Sequence, residues 1–166
     1  CYDMLKEKKI IVQSDLNNVN LVKNIFSINQ SQEIRLQKFI NELVFFNKHI
    51  NLVGKSTLVN PWKSHILDSI QIIPFINKQN SSILDMGTGA GFPGLVLAIM
   101  GYERVSLVDS NGKKISFINN ICKKLDIKAN IILSRIENLE IRQYDFLISR
   151  ALAKLNKLFA YSHNLI

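Results

Sequence analysis

The chain has 166 residues, of which 47% are hydrophobic and 20% are charged, and these proportions indicate one folded domain rather than a disordered chain. The net charge of +8 favours an anionic partner, with nucleic acid ahead of a membrane surface. No apolar run approaches the roughly 20 residues of a membrane span, and the start of the sequence does not resemble a signal peptide. The two cysteines are too few for a disulfide framework or a zinc-knuckle type of metal site. We therefore expect a cytoplasmic protein with neither a membrane nor a metal partner.

The N-terminal part of the chain is predicted to be helical. Residues 1–30 are polar and weakly periodic, and we expect them to form an arm. From Ile34, apolar residues recur at i, i+3, i+4, i+7 and i+8, which predicts a helix that ends between residues 47 and 54. Four aromatic residues of this region are expected to pack in the core: Phe39, Phe45, Phe46 and Trp62.

A second helix is predicted between Pro61 and Pro74, because proline suits a first helical turn and interrupts a later one. His65, Asp68 and Ser69 are spaced at i, i+3 and i+4, so their side chains can converge on one point. His65 and Asp68 are therefore candidates for a substrate pocket. The alternative is a hydrogen-bonded pair that holds the helical region to the rest of the protein.

After residue 81, short apolar strands alternate with helical periodicity. Strands are predicted at 83–86, 105–108, 130–133 and 144–149, and helices at 93–100, 113–125 and 151–165. Such alternation predicts an α/β protein with a parallel sheet and helices on both faces. We expect one structural domain overall, with residues 1–80 as an N-terminal helical cap and 81–166 as a Rossmann-like core.

The segment between the first strand and the helix after it, D-M-G-T-G-A-G-F-P-G, has four glycines within residues 87–94. Glycine lets the backbone turn sharply and lets a ligand approach the peptide groups. Doubly wound sheets bind nucleotides outside the carboxyl ends of their strands. Asp109 ends the second strand and is expected to accept hydrogen bonds from a ribose.

Two ligand classes fit these glycines. Gly89, Gly91 and Gly94 satisfy the dinucleotide pattern G-x-G-x-x-G, whereas Asp85 begins an acid-x-G-x-G-x-G pattern that continues through Gly87. A carboxylate there suits the cationic methionine end of S-adenosylmethionine and has no use beside a pyrophosphate at a helix N-terminus. Asp85 therefore favours S-adenosylmethionine. A dinucleotide, or a tight turn without a ligand, is the alternative.

These motifs together resemble the bacterial small-subunit ribosomal RNA methyltransferase G family, also called glucose-inhibited division protein B. The G-T-G-A-G-F-P-G segment resembles the family's cofactor loop, and further similar motifs follow the family's order: F-N-K-H-I-N-L at 46–52, H-I-L-D-S at 65–69, L-V-D-S-N-G-K-K at 107–114, R-I-E at 135–137 and S-R-A at 149–151. Family members continue beyond residue 166, so the resemblance implies that C-terminal strands are missing and that one sheet edge is unfinished.

The resemblance implies a Rossmann-like class I methyltransferase that transfers a methyl group from S-adenosylmethionine to N7 of a guanine in the 530 loop of 16S rRNA. The implied partner is 16S rRNA or the small ribosomal subunit, and we expect a monomer. Gly87 and Phe92 would contact the cofactor in the first loop, Ile136 and Glu137 after the third strand, and Arg150 after the fourth. A truncated homologue that is inactive or only binds RNA, and a methyltransferase with another substrate, are the alternatives.

Guanine N7 carries a lone pair and no proton, so the reaction needs no general base and should depend on proximity and orientation. The catalytic residues are therefore unknown, with His65, Asp68 and Arg150 as candidates. The alternative for Arg150 is an ion pair with Glu137 or Asp145.

The predicted helix 113–125 combines several lysines with a buried face. Its lysines either contact rRNA phosphates or form a solvated surface. Cys122 is expected to be buried and not to act as a nucleophile. The lysines in and after this helix are Lys113, Lys114, Lys123, Lys124 and Lys128.

Overall fold

The protein is described by a computed structural model that covers residues 16–76, 78–140 and 143–150. The helices are α1 (Leu16–Phe26), α2 (Gln30–Asn47), α3 (a π-helical Trp62–Leu67 continued by an α-helical Asp68–Ile70), α4 (Gly94–Ile99) and α5 (Gly112–Leu125). The strands are β1 (Ser82–Met86), β2 (Arg104–Asp109), β3 (Asn130–Leu133) and β4 (Phe146–Ile148). Short 3₁₀ turns lie at Lys55–Leu58, Ile73–Phe75 and Ile136–Asn138.

The strands form one parallel sheet in the order β3-β2-β1-β4. Strand β1 is central and buried along its whole length, with Leu84 opposite Ser106 of β2 and Leu147 of β4. Because parallel strands end at the same edge, the loops after β1, β2, β3 and β4 meet there. The predicted α/β fold with a parallel sheet is confirmed.

Among the described residues, the helices that share the core pack on one face of the sheet. Ile83 and Leu107 point into a large apolar cluster that contains buried residues of all five helices. The other face carries the smaller cluster of Leu84, Met86 and Val108. Helices were predicted on both faces, and the helix predicted at 151–165 lies outside the described residues.

The N-terminal region differs from the predicted arm, because residues 16–26 form helix α1. Val19 and Val22 are 7% and 0% exposed there, so tertiary burial stabilises a helix whose sequence pattern is weak. The next helix begins earlier than Ile34, since the capping box of Asn29 and Gln32 satisfies the first backbone donors of α2. Residues 1–15 of the predicted arm lie outside the described residues.

Three of the four predicted core aromatics are confirmed. Phe39 and Trp62 are 0% and 1% exposed, and Phe46 is partly buried against the same cluster. The prediction is wrong for Phe45, which is 39% exposed and packs edge-on against Phe46. Cys122 is buried on α5 as expected, and burial raises the pKa of its thiol to about 11.

The lysines of α5 do not form a single cluster. Lys113 lies in the first turn and Lys123 in the last, about 15 Å apart along the axis at 1.5 Å per residue. Lys124 forms an ion pair with Glu42 of α2, with 2.6 Å between Nζ and Oε1. The charges are therefore distributed along the helix, which favours a solvated face over one phosphate-binding point.

Candidate active site

The loop after β1 turns through three glycines whose backbone is left-handed: Gly87, Gly89 and Gly91 have φ angles of +70°, +60° and +99°. The Thr88 N–H donates to the Val108 carbonyl at 2.9 Å, which ties the loop to the end of β2. A Cβ at Gly89 would approach only the Gly87 carbonyl, at 4.0 Å, so the peptide groups border open space. A ligand can therefore reach the backbone at this position.

Asp85 is fully buried beneath the loop. Its Oδ2 accepts hydrogen bonds from the Thr88 hydroxyl at 2.6 Å and from the Gly94 N–H at 2.8 Å. Its buried Oδ1 has no hydrogen-bond partner among the described residues. Burial raises the pKa of Asp85 from 3.8 to about 6, although the two hydrogen bonds act in the opposite direction. Asp85 thus joins both ends of the loop, and its contact with a ligand stays a prediction.

Gly94 is essential to this arrangement, and in the sequence it completes both the dinucleotide pattern and the G-T-G-A-G-F-P-G segment. A Cβ there would clash with the Leu107 side chain and lie 2.7 Å from Asp85 Oδ2. The absence of a side chain lets α4 approach β1 and β2 closely enough for the Gly94 N–H to reach Asp85. The G-x-G-x-x-G match therefore has a structural cause in helix–strand packing.

Asp109 lies at the end of β2, half-buried against the same loop. Its Oδ2 accepts from the Gly89 N–H at 2.9 Å, and its Oδ1 accepts from the Asn111 N–H at 2.8 Å. Each carboxylate oxygen retains a further lone pair. Asp109 is thus oriented by the backbone and can still accept a hydrogen bond from a ligand.

Arg150 follows β4 and reaches helix α3. Its Nη1 donates to the Ser64 carbonyl and to Asp68 Oδ2, both at 3.1 Å, and its Nη2 lies 3.2 Å from His65 Nδ1. The structure thus brings His65, Asp68 and Arg150 together. Its ion-pair partner is Asp68, and the alternative partner Asp145 accepts instead from Ser82 at 2.7 Å.

The His65 ring stacks on Phe92, with centroids 4.7 Å apart, and Phe92 stacks on Phe39 at 4.9 Å. Phe92 is 2% exposed, so a ligand contact from this residue would come from its backbone. Burial, with the adjacent Arg150 guanidinium, lowers the pKa of His65 to about 4, while Asp68 raises it in part. His65 is therefore neutral at physiological pH.

Ile136 and Glu137 lie in the 3₁₀ turn after β3. Ile136 is partly buried against the cluster on the second face of the sheet, and Glu137 is exposed. The sequence did not identify Thr57, whose Oγ1 lies 2.8 Å from His65 Nε2. No motif marks Thr57, because it lies in an aperiodic segment before α3.

In the part of the chain that the structure describes, no group of three His, Cys, Asp or Glu side chains could hold a metal ion. No helix within those residues is long and apolar enough to cross a membrane.

Residues 31–166 match the family described as rRNA small subunit methyltransferase G. Relatives named ribosomal RNA small subunit methyltransferase G include proteins of Magnetococcus marinus, 37% identical over 91% of this chain and 71% of the relative, and Rickettsia prowazekii, 39% identical over 79% and 68%. The relative from Orientia tsutsugamushi is 34% identical over 89% of this chain and 72% of its own length.

Solved structures that resemble the fold include two that align over most of this chain. Magnesium protoporphyrin IX methyltransferase from Synechocystis, with bound SAH, aligns with a TM-score of 0.51 at 17% identity, over 81% of this chain and 59% of that chain. A variant of MtNAS in complex with S-adenosylmethionine aligns with a TM-score of 0.50 at 17% identity, over 94% and 57%. Both likenesses support the Rossmann-like α/β fold.

Proposed function

The chain belongs to the rRNA small subunit methyltransferase G family, and we propose that it transfers a methyl group from S-adenosylmethionine to N7 of a guanine in the 530 loop of 16S rRNA. The partner would be 16S rRNA, free or within the small ribosomal subunit, and the enzyme a monomer. The observation that carries the proposal is the arrangement of Asp109 against the open peptide groups of the glycine loop, beside Arg150.

The residues at this edge fit S-adenosylmethionine. Gly89 leaves open space over the loop backbone, and the adjacent Asp109 carboxylate is suited to ribose hydroxyls. The Asp85 carboxylate beneath the loop would place negative charge near the ligand, which suits a cationic ligand better than a pyrophosphate. Ile136 and Glu137 would complete the cofactor site after β3.

S-adenosylmethionine, when bound, supplies the methyl group from its sulfonium centre. The guanine nitrogen needs no base, so this chain's residues orient the reactants. Arg150 suits that role because its side chain is 30% exposed and, within the described residues, three of its five N–H donors are used. The target guanine would have to unstack from the neighbouring bases of the RNA to reach the site at the carboxyl ends of the strands.

Calorimetry with S-adenosylhomocysteine tests whether the chain binds the cofactor. If folded protein does not bind it, the proposed methyltransferase activity is excluded. Complementation of a methyltransferase-deficient bacterial strain tests the substrate, with N7-methylguanine in 16S rRNA measured by mass spectrometry. Restored N7-methylguanine in the 530 loop is expected. Cofactor binding without rRNA methylation would favour another substrate or an inactive homologue.

A further inference from the structure

A chain of hydrogen bonds leads from Thr57 to Arg150. The Thr57 hydroxyl donates to the Gly54 carbonyl at 2.7 Å, and its oxygen lies 2.8 Å from His65 Nε2. The other ring nitrogen, Nδ1, lies 3.2 Å from Arg150 Nη2. His65 therefore links the 3₁₀ turn before α3 to the residue after β4.

The donors in this chain determine the tautomer of His65. Thr57 has one hydroxyl proton, which it gives to Gly54, so Oγ1 must accept from Nε2–H. A guanidinium only donates, so Nδ1 must be unprotonated to accept from Arg150. Both requirements are met by the neutral imidazole with its proton on Nε2. The pKa of His65, lowered to about 4, agrees with this state.

The ring has little freedom to change this arrangement. His65 is 2% exposed, and its ring stacks on Phe92 of the glycine loop. The Arg150 guanidinium carbon lies 5.1 Å from the centroid of the same Phe92 ring. The imidazole and the guanidinium therefore contact the loop directly.

We propose that Thr57 is a positioning residue: through the Nε2–H tautomer of His65 it holds the Arg150 guanidinium against the glycine loop. Two N–H donors of that guanidinium, unused within the described residues, would serve cofactor or substrate. The effect on ligand affinity rests on the proposed function, whereas the tautomer does not. Thr57 acts on Arg150 through His65.

The first measurement is the tautomer of His65 in the unmodified chain, by long-range ¹H–¹⁵N NMR of ¹⁵N-histidine-labelled protein at pH 7. The His65 signals are assigned by their loss in His65→Gln. The Nε2–H tautomer is expected, and an Nδ1–H tautomer or a charged ring would overturn the proposal without any reference to a ligand.

The second measurement compares Thr57→Val, which removes the hydroxyl, with Thr57→Ser, which keeps it. Thr57→Val is expected to leave His65 exchanging between tautomers and to weaken binding of S-adenosylhomocysteine about three- to tenfold, the effect of one lost hydrogen bond. Thr57→Ser should retain both the tautomer and the affinity of the unmodified chain.

Equal affinity and an unchanged tautomer in Thr57→Val would overturn the positioning role. If the unmodified chain itself fails to bind S-adenosylhomocysteine, the proposed function fails. The positioning role is then tested by the tautomer of His65 alone, compared between the unmodified chain and Thr57→Val. If Thr57→Val does not fold, the tautomer of the unmodified chain still tests the proposal, because an Nδ1–H tautomer or a charged ring would overturn it.

Discussion

The ends of β1 and β2 each carry an aspartate next to the glycine loop, and the two carboxylates have different environments. Asp85 is fully buried and binds Thr88 and Gly94 through one oxygen, while the other oxygen has no hydrogen-bond partner in the part of the chain that the structure describes. Asp109 is half-buried, and each of its oxygens accepts from a backbone N–H. The first carboxylate holds the loop in shape, and the second presents acceptors to the open edge.

The difference shows that two neighbouring strands can supply carboxylates with separate roles, one that stabilises the loop and one that is available to a ligand. A buried carboxylate is costly to ionise, so burial raises the pKa of Asp85 to about 6. A half-buried carboxylate is still hydrated and can exchange water for a ligand hydroxyl. Changes near Asp85 should therefore alter stability, and changes at Asp109 should alter ligand affinity more than stability.

The largest effect is expected from Gly94→Ala. The added Cβ would clash with Leu107 and lie 2.7 Å from Asp85 Oδ2, so α4 must move away from the strands. We expect a loss of about 3 kcal/mol in the free energy of unfolding, measured by urea denaturation. Gly112→Ala is the control, because its Cβ would meet only Leu133, at 3.9 Å. Equal stability of the two variants would contradict the close packing at Gly94.

Asp85→Asn tests the buried charge of Asp85 through the pH dependence of the free energy of unfolding. Asp85 titrates near 3.8 when unfolded and near 6 when folded, so the native state binds more protons between these values and its stability falls as pH rises. The stability of the unmodified chain relative to Asp85→Asn should decrease by roughly 2 kcal/mol from pH 4 to pH 7, measured by urea denaturation at each pH.

Asp145→Asn provides a control of opposite sign for that experiment. Hydrogen bonds from Ser82 lower the pKa of Asp145, so its contribution to stability is lost as the pH falls. The stability of the unmodified chain relative to Asp145→Asn should therefore increase with pH. The same sign for both variants would refute the assignment of a raised pKa to Asp85.

Asp109→Ala tests the ligand side of the comparison. Loss of the acceptor should weaken binding of S-adenosylhomocysteine by about 1–3 kcal/mol, measured by calorimetry. Glu103→Ala removes the same charge just before β2, at the opposite edge of the sheet, and should leave the affinity unchanged. An unaltered affinity in Asp109→Ala would exclude the proposed ribose contact.

The smallest effect is expected from Glu137→Gln, because Glu137 is exposed in the turn after β3. A hydrogen bond made by a solvated carboxylate should contribute less than about 1 kcal/mol to binding of S-adenosylhomocysteine. Glu140→Gln in the same segment is the matched control. A loss of affinity as large as that in Asp109→Ala would show that burial does not determine how much each carboxylate contributes to ligand binding.

The features predicted correctly from the sequence have local causes. Strand β3 covers the four residues that were predicted, because a short apolar run allows few other structures. The sharp turn after β1 follows from the closely spaced glycines, and the structure realises it with positive φ angles at Gly87, Gly89 and Gly91. Helix α2 follows from its apolar periodicity, and the family follows from the order of the motifs.

Helix α1 and the exposure of Phe45 could not be predicted in this way. The α1 segment is rich in asparagine and has only Val19 and Val22 as buried residues, so packing against α3 supplies what its periodicity lacks. Phe45 and Phe46 are neighbours in the sequence, and helix geometry turns only one of them toward the core.

The sequence by itself determined the strand–loop–helix order, the glycine turn and the residue types near it, since these depend on neighbours along the chain. Only the tertiary structure decided that Asp85 joins the two ends of the loop and that Arg150 pairs with Asp68, 82 positions away. It also decided that Thr57 and Arg150 bind opposite nitrogens of His65. Such contacts depend on how cap, loop and sheet pack together, and no local pattern encodes that packing.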